Sequence, residues 1–472
     1  MTNLGLRFLA ELSTIAVSFR LSHKDVITIL LFLNKSNGTM KRLALFILSI
    51  TVILLPIQAQ TSKTEQKISN QVEKYNSEAL QLLQNLVNIN SGSMNSEGVK
   101  QVADVLIPEF QALGFDTQWI DGSDWGRGGH LVARYEGSGK GPRILLIGHL
   151  DTVFEPDNPY QKYEMKNDSI MAGPGVVDMK GGDVIALYAL KALKEAGLLK
   201  TMNVEVIYTG DEEKSGSPLS LSKRDLIEAA ERADIALGFE NGDSNPSTAV
   251  VSRRGSTSWE LSIKGKPAHS SQVFSEEIGS GAIYEAARIL TEFRKQLSEE
   301  EYLTFNPGVI LGGTQVDYNV SKDGGSAFGK SNVVAQDAIV RGDLRALSPE
   351  QLERAFLVMQ EVVANSLPGT SAELSFSDSG YPPLAPTEGN TYLLNMYSQV
   401  SQDLGYGKVE AVIPINAGAA DISFTSGHVE MALDGLGLSG GNDHTINEYG
   451  NINWLPRLTQ RAAILMYRLT KK

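Results

Sequence analysis

Five short stretches hold most of the residues whose types and spacing suit hydrolysis at a metal: "HLD" at 149–151, "GPGVVDMKGG" at 173–182, "TGDEEKSG" at 209–216, "GFENGD" at 238–243 and "GGNDHTINE" at 440–448. Each follows an expected strand or a glycine-rich turn. Taken singly they have plain readings. A histidine after a strand is often a hydrogen-bonded structural residue, Glu212-Glu213 reads as a solvated turn, and Asp178 reads as a cap for the helix that follows. Taken together they say more, because the chain has only six histidines and two of them, His149 and His444, fall in these clusters. Imidazole with three or four carboxylates suits a borderline cation such as zinc, with positions left open for water. So acidic a site is balanced better by two dications than by one, and two metals roughly 3.5–4 Å apart turn a shared water into a nucleophile near neutral pH.

The elements that must position these residues are legible. "RILLI" (143–147) is a short continuous apolar run, the pattern of a strand buried on both faces, and it puts His149 and Asp151 at a strand's carboxyl end. "NVEVIYTG" (203–210) reads as a second such strand, with the helix "GDVIALYALKALKEAG" (182–197) between them and a helix over 77–89 before them. Strands alternating with helices from about Glu65 to Asp243 predict a largely parallel, helix-covered sheet, in which ligands bind beyond the strands' carboxyl ends.

After Val250 the pattern changes. "TSWELSIKG" (257–265) alternates apolar and polar residues, as a sheet with one buried face does. A helix over 281–297, strands near 309–316 and 335–343, a helix that starts with a Ser348 cap, Pro349 in its first turn and Gln351 at the reciprocal-cap position and runs to about Ser366, and a strand over 372–378 complete a β-α-β-β-α-β order, the ferredoxin-like arrangement. "SKDGGSAFGKSN" within it reads as a polar loop. From Glu388 the helix-and-strand alternation of the first part returns and ends in a helix over 454–469, so this unit reads as an insertion. The expected fold is α/β, an α/β/α domain in two pieces, 60–250 and 381–472, around an α+β domain at 251–380.

Composition narrows the function further. The net charge is −13 and the first 59 residues are net +4, so the remainder is net −17, which opposes nucleic acid and anionic membrane as partners. There is no cysteine, so no disulfide, thiolate ligand or cysteine nucleophile. "MKRLALFILSITVILLPIQAQ" (40–60) has a basic start, an apolar middle and Ile57-Gln58-Ala59 at its end, a signal-peptide pattern. Translation from Met40 with cleavage after Ala59, and a secreted or periplasmic mature chain with no stable membrane span, is the expectation; residues 1–39 then form an upstream extension. Amino-terminal sequencing of exported protein checks it, and a start before Gln60 would sink it.

"GHLDTV", "GPGVVDMKGG", "DEEKSGS", "GFEN", "GKPAHSS" and "NDHTINEY", in that order, resemble the motif series of the M20 family of zinc metallopeptidases, and most closely its glutamate carboxypeptidase-like branch. The resemblance runs from about Lys74 to the end. It implies an aminopeptidase-like catalytic domain, a ferredoxin-like lid and dimerisation domain, two Zn2+ ions per subunit and a homodimer. By position it implies that His149 and Glu240 bind one metal, Glu213 and His444 the other, and Asp178 bridges them, with a cis peptide after Asp178. Asp151 would accept the second ring N–H of His149. Glu212 would be the general base, and His269 in the lid would stabilise the oxyanion in the neighbouring subunit's site. Asn332 and Arg345 would bind substrate, although an ion pair with Asp343 accounts for Arg345 equally well.

One departure bears on specificity. Where this branch has an arginine for the substrate carboxylate in a "GRP"-like turn, this chain reads "SGYPPL", with Tyr381 at that place. Losing a bidentate partner argues against strict glutamate specificity, and Arg253 or Arg254 is the nearest compensation in sequence. The expected function is hydrolysis of an amide next to a free carboxylate in a small peptide or N-acyl amino acid. An aminoacylase or deacetylase shares the same motifs. A catalytically silent binding protein would be betrayed by a missing ligand or base, and none is missing.

Overall fold

A computed structural model describes residues 61–471, apart from 320, 321 and 323. The expected signal peptide and upstream extension lie outside the described residues. In chain order the first part contains α1 (Lys63–Val87), α2 (Ser96–Leu113), β1 (Asp116–Asp121), β2 (Gly129–Glu136), β3 (Arg143–His149), α3 (Gly181–Glu195), β4 (Asn203–Thr209), α4 (Arg224–Glu231) and β5 (Ile235–Gly238). The inserted unit contains β6 (Thr257–Gly265), α5 (Ala282–Leu297), β7 (Thr304–Gly313), the hairpin β8 (Gln315–Asn319) and β9 (Gly324–Phe328), β10 (Asp337–Arg345), α6 (Pro349–Ala364) and β11 (Thr370–Phe376). The chain returns through α7 (Glu388–Asp403) and β12 (Met431–Leu433) to α8 (Leu455–Leu469).

The main sheet has the order β1-β2-β4-β3-β5-β12. β4, β3, β5 and β12 run parallel, and β2 pairs antiparallel with both β1 and β4. Continuous apolar strands take the centre because helices cover both faces: every residue of β3 after Arg143 is buried. On one face α3 lies among α1, α2 and α8, with Ile185, Leu190, Leu465 and Met466 fully buried. Burying each such side chain contributes about 1.5–3 kcal/mol. On the other face α4 packs Leu226 and Ala230 against Leu145 and Ile207.

The sheet of the inserted unit has the order β7-β10-β6-β11, all antiparallel, the spatial order of a ferredoxin-like fold, whose β-α-β-β-α-β chain order the sequence led us to expect. β6 buries alternate residues, and Trp259, Leu261 and Ile263 meet Ile289 and Phe293 of α5. Gly342 of β10 is a required glycine, because a Cβ there would lie 2.3 Å from the Trp259 ring.

Three expectations shift. α1 begins 14 residues before its expected start, at Lys63. Its amino-terminal half is polar enough to hide the pattern, yet Ile68 and Val72 are buried and a reciprocal cap joins Ser62 to Glu65. The strand expected over 309–316 ends at Gly313, and the segment read as a polar loop holds β9, which pairs with β8 from Gln315↔Phe328 to Asn319↔Gly324. β9, with Gly324-Gly325-Ser326, pairs through its backbone and has no apolar alternation of its own to read. Gln351 does not complete a reciprocal cap at α6: Ser348 accepts from Gln351 N, while the Gln351 side chain accepts from Leu347 N.

Among the described residues no helix is long and apolar enough to cross a membrane.

Candidate metal centre

β3 ends at His149 and delivers its imidazole to the sheet's carboxyl edge, with Leu150 N bonded to Thr209 O of β4. The fully buried Asp151 then organises the next cluster. It accepts from Ser93 Oγ at 2.6 Å, from Glu212 N at 3.1 Å and from Glu213 N at 3.2 Å. The glycine-rich turn before α3 is held from the far end of the chain, because Glu448 accepts from the N–H groups of Gly175, Val177 and Asp178. Gly175 sits at φ +71, which a side chain would strain. The Asp178–Met179 peptide is cis, as the resemblance implies, and the residue at the amino-terminal cap of α3 is Lys180 rather than Asp178.

The Asp178 carboxylate lies between two imidazoles. Its Oδ1 is 3.2 Å from His149 Nε2 and its Oδ2 is 3.0 Å from His444 Nε2. Glu240 Oε1 is 2.8 Å from His149 Nε2, and Glu213 Oε2 is 3.1 Å from His444 Nε2. All five residues expected as ligands therefore converge, split into two groups that share Asp178. Asp443 lies with Asp178 and His444 in a cluster whose ligand atoms are all within 4.8 Å, a cluster that leaves Glu213 out, and sequence reasoning passed over it although it adjoins His444. His444 itself holds φ +60, a left-handed conformation that costs a non-glycine residue about 1–2 kcal/mol.

The electrostatics fit cations. Burial opposes charge on His149, yet Glu240, Asp151 and Asp178 hold its imidazole well above the usual range. Hydrogen bonds to Asp178 and Glu213 push His444 up to about 11. Burial opposes ionisation of Asp178 too, and the two imidazoles hold it well below the carboxylate range. Burial raises Glu213 to about 7, and its Oε1 is buried with no hydrogen-bond partner. The carboxylates around both imidazoles thus favour their protonated forms. Metal ions at these donors would displace those protons.

The remaining candidates divide. Burial lifts the Glu212 carboxyl well above its usual range, with Asp421, Glu240 and Glu213 adding to the effect against His149. The nearest partner of the second His149 ring nitrogen is the Asp151 main-chain carbonyl at 3.1 Å, with the carboxylate at 3.4 Å, so the expected role of Asp151 falls first to its backbone. The Asp151 carboxylate is taken up by the Glu212-Glu213 turn.

His269 and Asn332 are exposed neighbours on the lid, with Ser270 N bonded to Asn332 O at 2.9 Å, and no hydrogen bond or ion pair joins either to the five converging residues. Arg345 is paired with Asp343 at 3.0 Å, the alternative that the sequence left open. Arg253 is taken up by Asp434 at 2.7 Å and the Gly418 carbonyl. Arg254 is buried, bonds Thr304 Oγ1 and the Ile415 carbonyl, and leaves its Nε without a partner. Burial and the nearby Arg345 charge both lower the Arg254 pKa. Asp343, which pairs with Arg345, offsets part of that effect, and the idle buried Nε of Arg254 is the donor left over.

A profile of Peptidase family M20/M25/M40 matches residues 145–468, and the chain belongs to that family. It is a metallopeptidase of mixed α/β fold. It is similar to carboxypeptidase G2 of Pseudomonas sp. (strain RS-16), at 27% identity over 398 residues, covering 83% of this chain and 89% of that one. It is also similar to succinyl-diaminopimelate desuccinylase of Acidiphilium cryptum (strain JF-5), at 24% over 365 residues, 75% and 90% of the two chains. Its fold is that of aminopeptidase PepT from Bacillus cereus ATCC 10987, with a TM-score of 0.67 at 20% identity over 84% of this chain and 99% of that one.

Proposed function

We propose that the chain is a dizinc hydrolase that cleaves an amide next to a free carboxylate in small peptides or N-acyl amino acids. The observation that carries this reading is the Asp178 carboxylate set between His149 and His444, with Glu240 and Glu213 completing the two groups. Bound there, zinc would polarise the scissile carbonyl and bring a water to a reactive pKa. His149 and Glu240 would hold one ion and Glu213 and His444 the other, with Asp178 shared. Glu212 takes a proton from the attacking water and returns it to the leaving amine. Arg254, whose buried Nε has no partner, and Arg345 receive the substrate carboxylate, Arg345 exchanging its Asp343 partner for it. His269, from the lid of a second subunit, donates to the developing oxyanion, with Asn332 beside it.

The dimer is tested by mixing two inactive proteins, one His269→Ala and one Glu212→Gln. If His269 serves the neighbouring subunit, mixed dimers contain one site with both residues intact and regain up to about half of wild-type activity per such dimer; no recovery after subunit exchange contradicts it.

The substrate class is tested with dipeptides and N-acyl amino acids, each also as the carboxamide, using zinc-loaded protein and a chelated control. Chelator-sensitive cleavage is expected, with the carboxamides losing about 10- to 100-fold in kcat/KM as one charged partner is removed. Equal cleavage of acids and carboxamides would contradict the carboxylate requirement. The similarity to a desuccinylase favours deacylation as the second reading, and a preference for N-succinyl or other N-acyl substrates over dipeptides decides for it.

A further inference from the structure

We propose that Tyr381 is a positioning residue that ties the hinge between lid and catalytic domain to the Glu212 turn and fixes where the general base points. The inference rests on the hydrolase reading above.

The two segments that connect the domains run side by side. Arg253 and Leu384 exchange backbone hydrogen bonds at 3.0 Å in both directions, and Ser256 and Tyr381 do so at 3.0 and 2.8 Å. A Cβ at Gly255 would lie 2.7 Å from Pro383 N, so the two connecting segments are in close contact there. Tyr381 is followed by Pro382 and Pro383, whose rings fix φ. Its backbone is thus held at the hinge on both sides.

The side chain leaves the hinge and enters the catalytic domain. Its ring packs edge-on against Phe424, with centroids 4.9 Å apart, and Lys223 Nζ lies 5.5 Å from the ring centre. The hydroxyl is 3.0 Å from the Glu212 carbonyl, 3.1 Å from Ser215 Oγ and 3.3 Å from Asp421 Oδ1. A phenol has one proton to give. Given to the Glu212 carbonyl, it leaves the oxygen free to accept from Ser215. Asp421 is satisfied elsewhere, by Lys223 at 2.9 Å and by Thr209 Oγ1, and Lys223 spends its other donors on Asp211 Oδ1 and the Asp211 carbonyl.

The consequence falls on Glu212. Its N–H is held by Asp151 and its C=O by Tyr381, so the peptide planes on both sides of its Cα are pinned. The direction of a side chain follows from its backbone. A catalytic group displaced by about 1 Å loses on the order of 100-fold in rate.

Tyr381→Phe removes one oxygen and keeps the ring against Phe424. Expected are a kcat about 10- to 100-fold lower, a KM within about twofold of wild type and an unchanged zinc content. A second variant, Tyr381→Arg, restores the side chain that the resemblance places here; it is expected to lose kcat and to gain nothing on substrates ending in glutamate. The inference is overturned if Tyr381→Phe keeps wild-type kcat, if it raises KM alone, or if Tyr381→Arg selectively improves glutamate substrates, since the last two mark a substrate contact. Glu212→Gln run alongside separates this failure from failure of the hydrolase reading. A wild-type-like Tyr381→Phe beside an inactive Glu212→Gln sinks the positioning role alone, whereas an active Glu212→Gln sinks the base assignment beneath it.

Discussion

Glu212→Gln is expected to lower kcat by about 10³-fold or more while leaving zinc binding and KM close to wild type. Glutamine matches glutamate in shape and leaves the Asp151 and Tyr381 contacts intact, because both are made to the backbone of residue 212. What it cannot do is accept a proton. General acid–base catalysis contributes roughly 10²–10⁴-fold, and in the proposed role one carboxylate serves in both directions, toward the water and then toward the amine. Burial already lifts this carboxyl well above the usual range, which favours a group that must pick up and return a proton. Steady-state kinetics with metal analysis on the same preparation is the check, and a variant that keeps a tenth of wild-type activity contradicts the assignment.

Asp178→Asn carries the second large effect, for a different reason. The carboxylate presents one oxygen to each imidazole group. An asparagine presents one oxygen and one NH2, so it serves one group and turns a donor toward the other. It also removes a negative charge from between the two imidazole groups. Affinity for at least one ion is expected to fall by more than about 100-fold, the upper figure for losing a partner one step removed from a metal, and activity is expected to fall with it. Competition against a coloured chelator reads affinity without reference to turnover. Binding must also displace protons from His149 and His444, both held above their usual range, so apparent affinity falls as pH falls. Wild-type affinity for both ions in Asp178→Asn would mean that the bridging geometry is not used.

The sequence showed the parts of this site that depend on local order. His149 and Asp151 are legible because an apolar run must end somewhere, and the end of a buried parallel strand faces the ligand edge of the sheet. β6 is legible because a one-faced sheet imposes alternation. What stayed hidden depends on distant pairing. Glu448 fastens the Asp178 turn from 270 residues away, and no periodicity announces it. Tyr381 reaches the Glu212 carbonyl across 169 residues; its type marked a missing arginine, but its contacts needed the folded hinge. The strand β9 was hidden for the opposite reason, since Gly324-Gly325-Ser326 carry no apolar pattern and its order comes from backbone pairing with β8. Asp443 had a signal, a carboxylate directly before a candidate ligand histidine.

The central claim is a centre for two metal ions built from His149, Glu240, Asp178, Glu213 and His444. Plasma mass spectrometry on the chain starting at Gln60, zinc-loaded and dialysed, tests it most directly when amide hydrolysis is followed in the same samples through chelation and zinc return. The account predicts two zinc ions per chain, loss of hydrolysis on chelation and recovery on re-addition. One ion per chain at full activity, or hydrolysis that survives complete removal of metal, would contradict it.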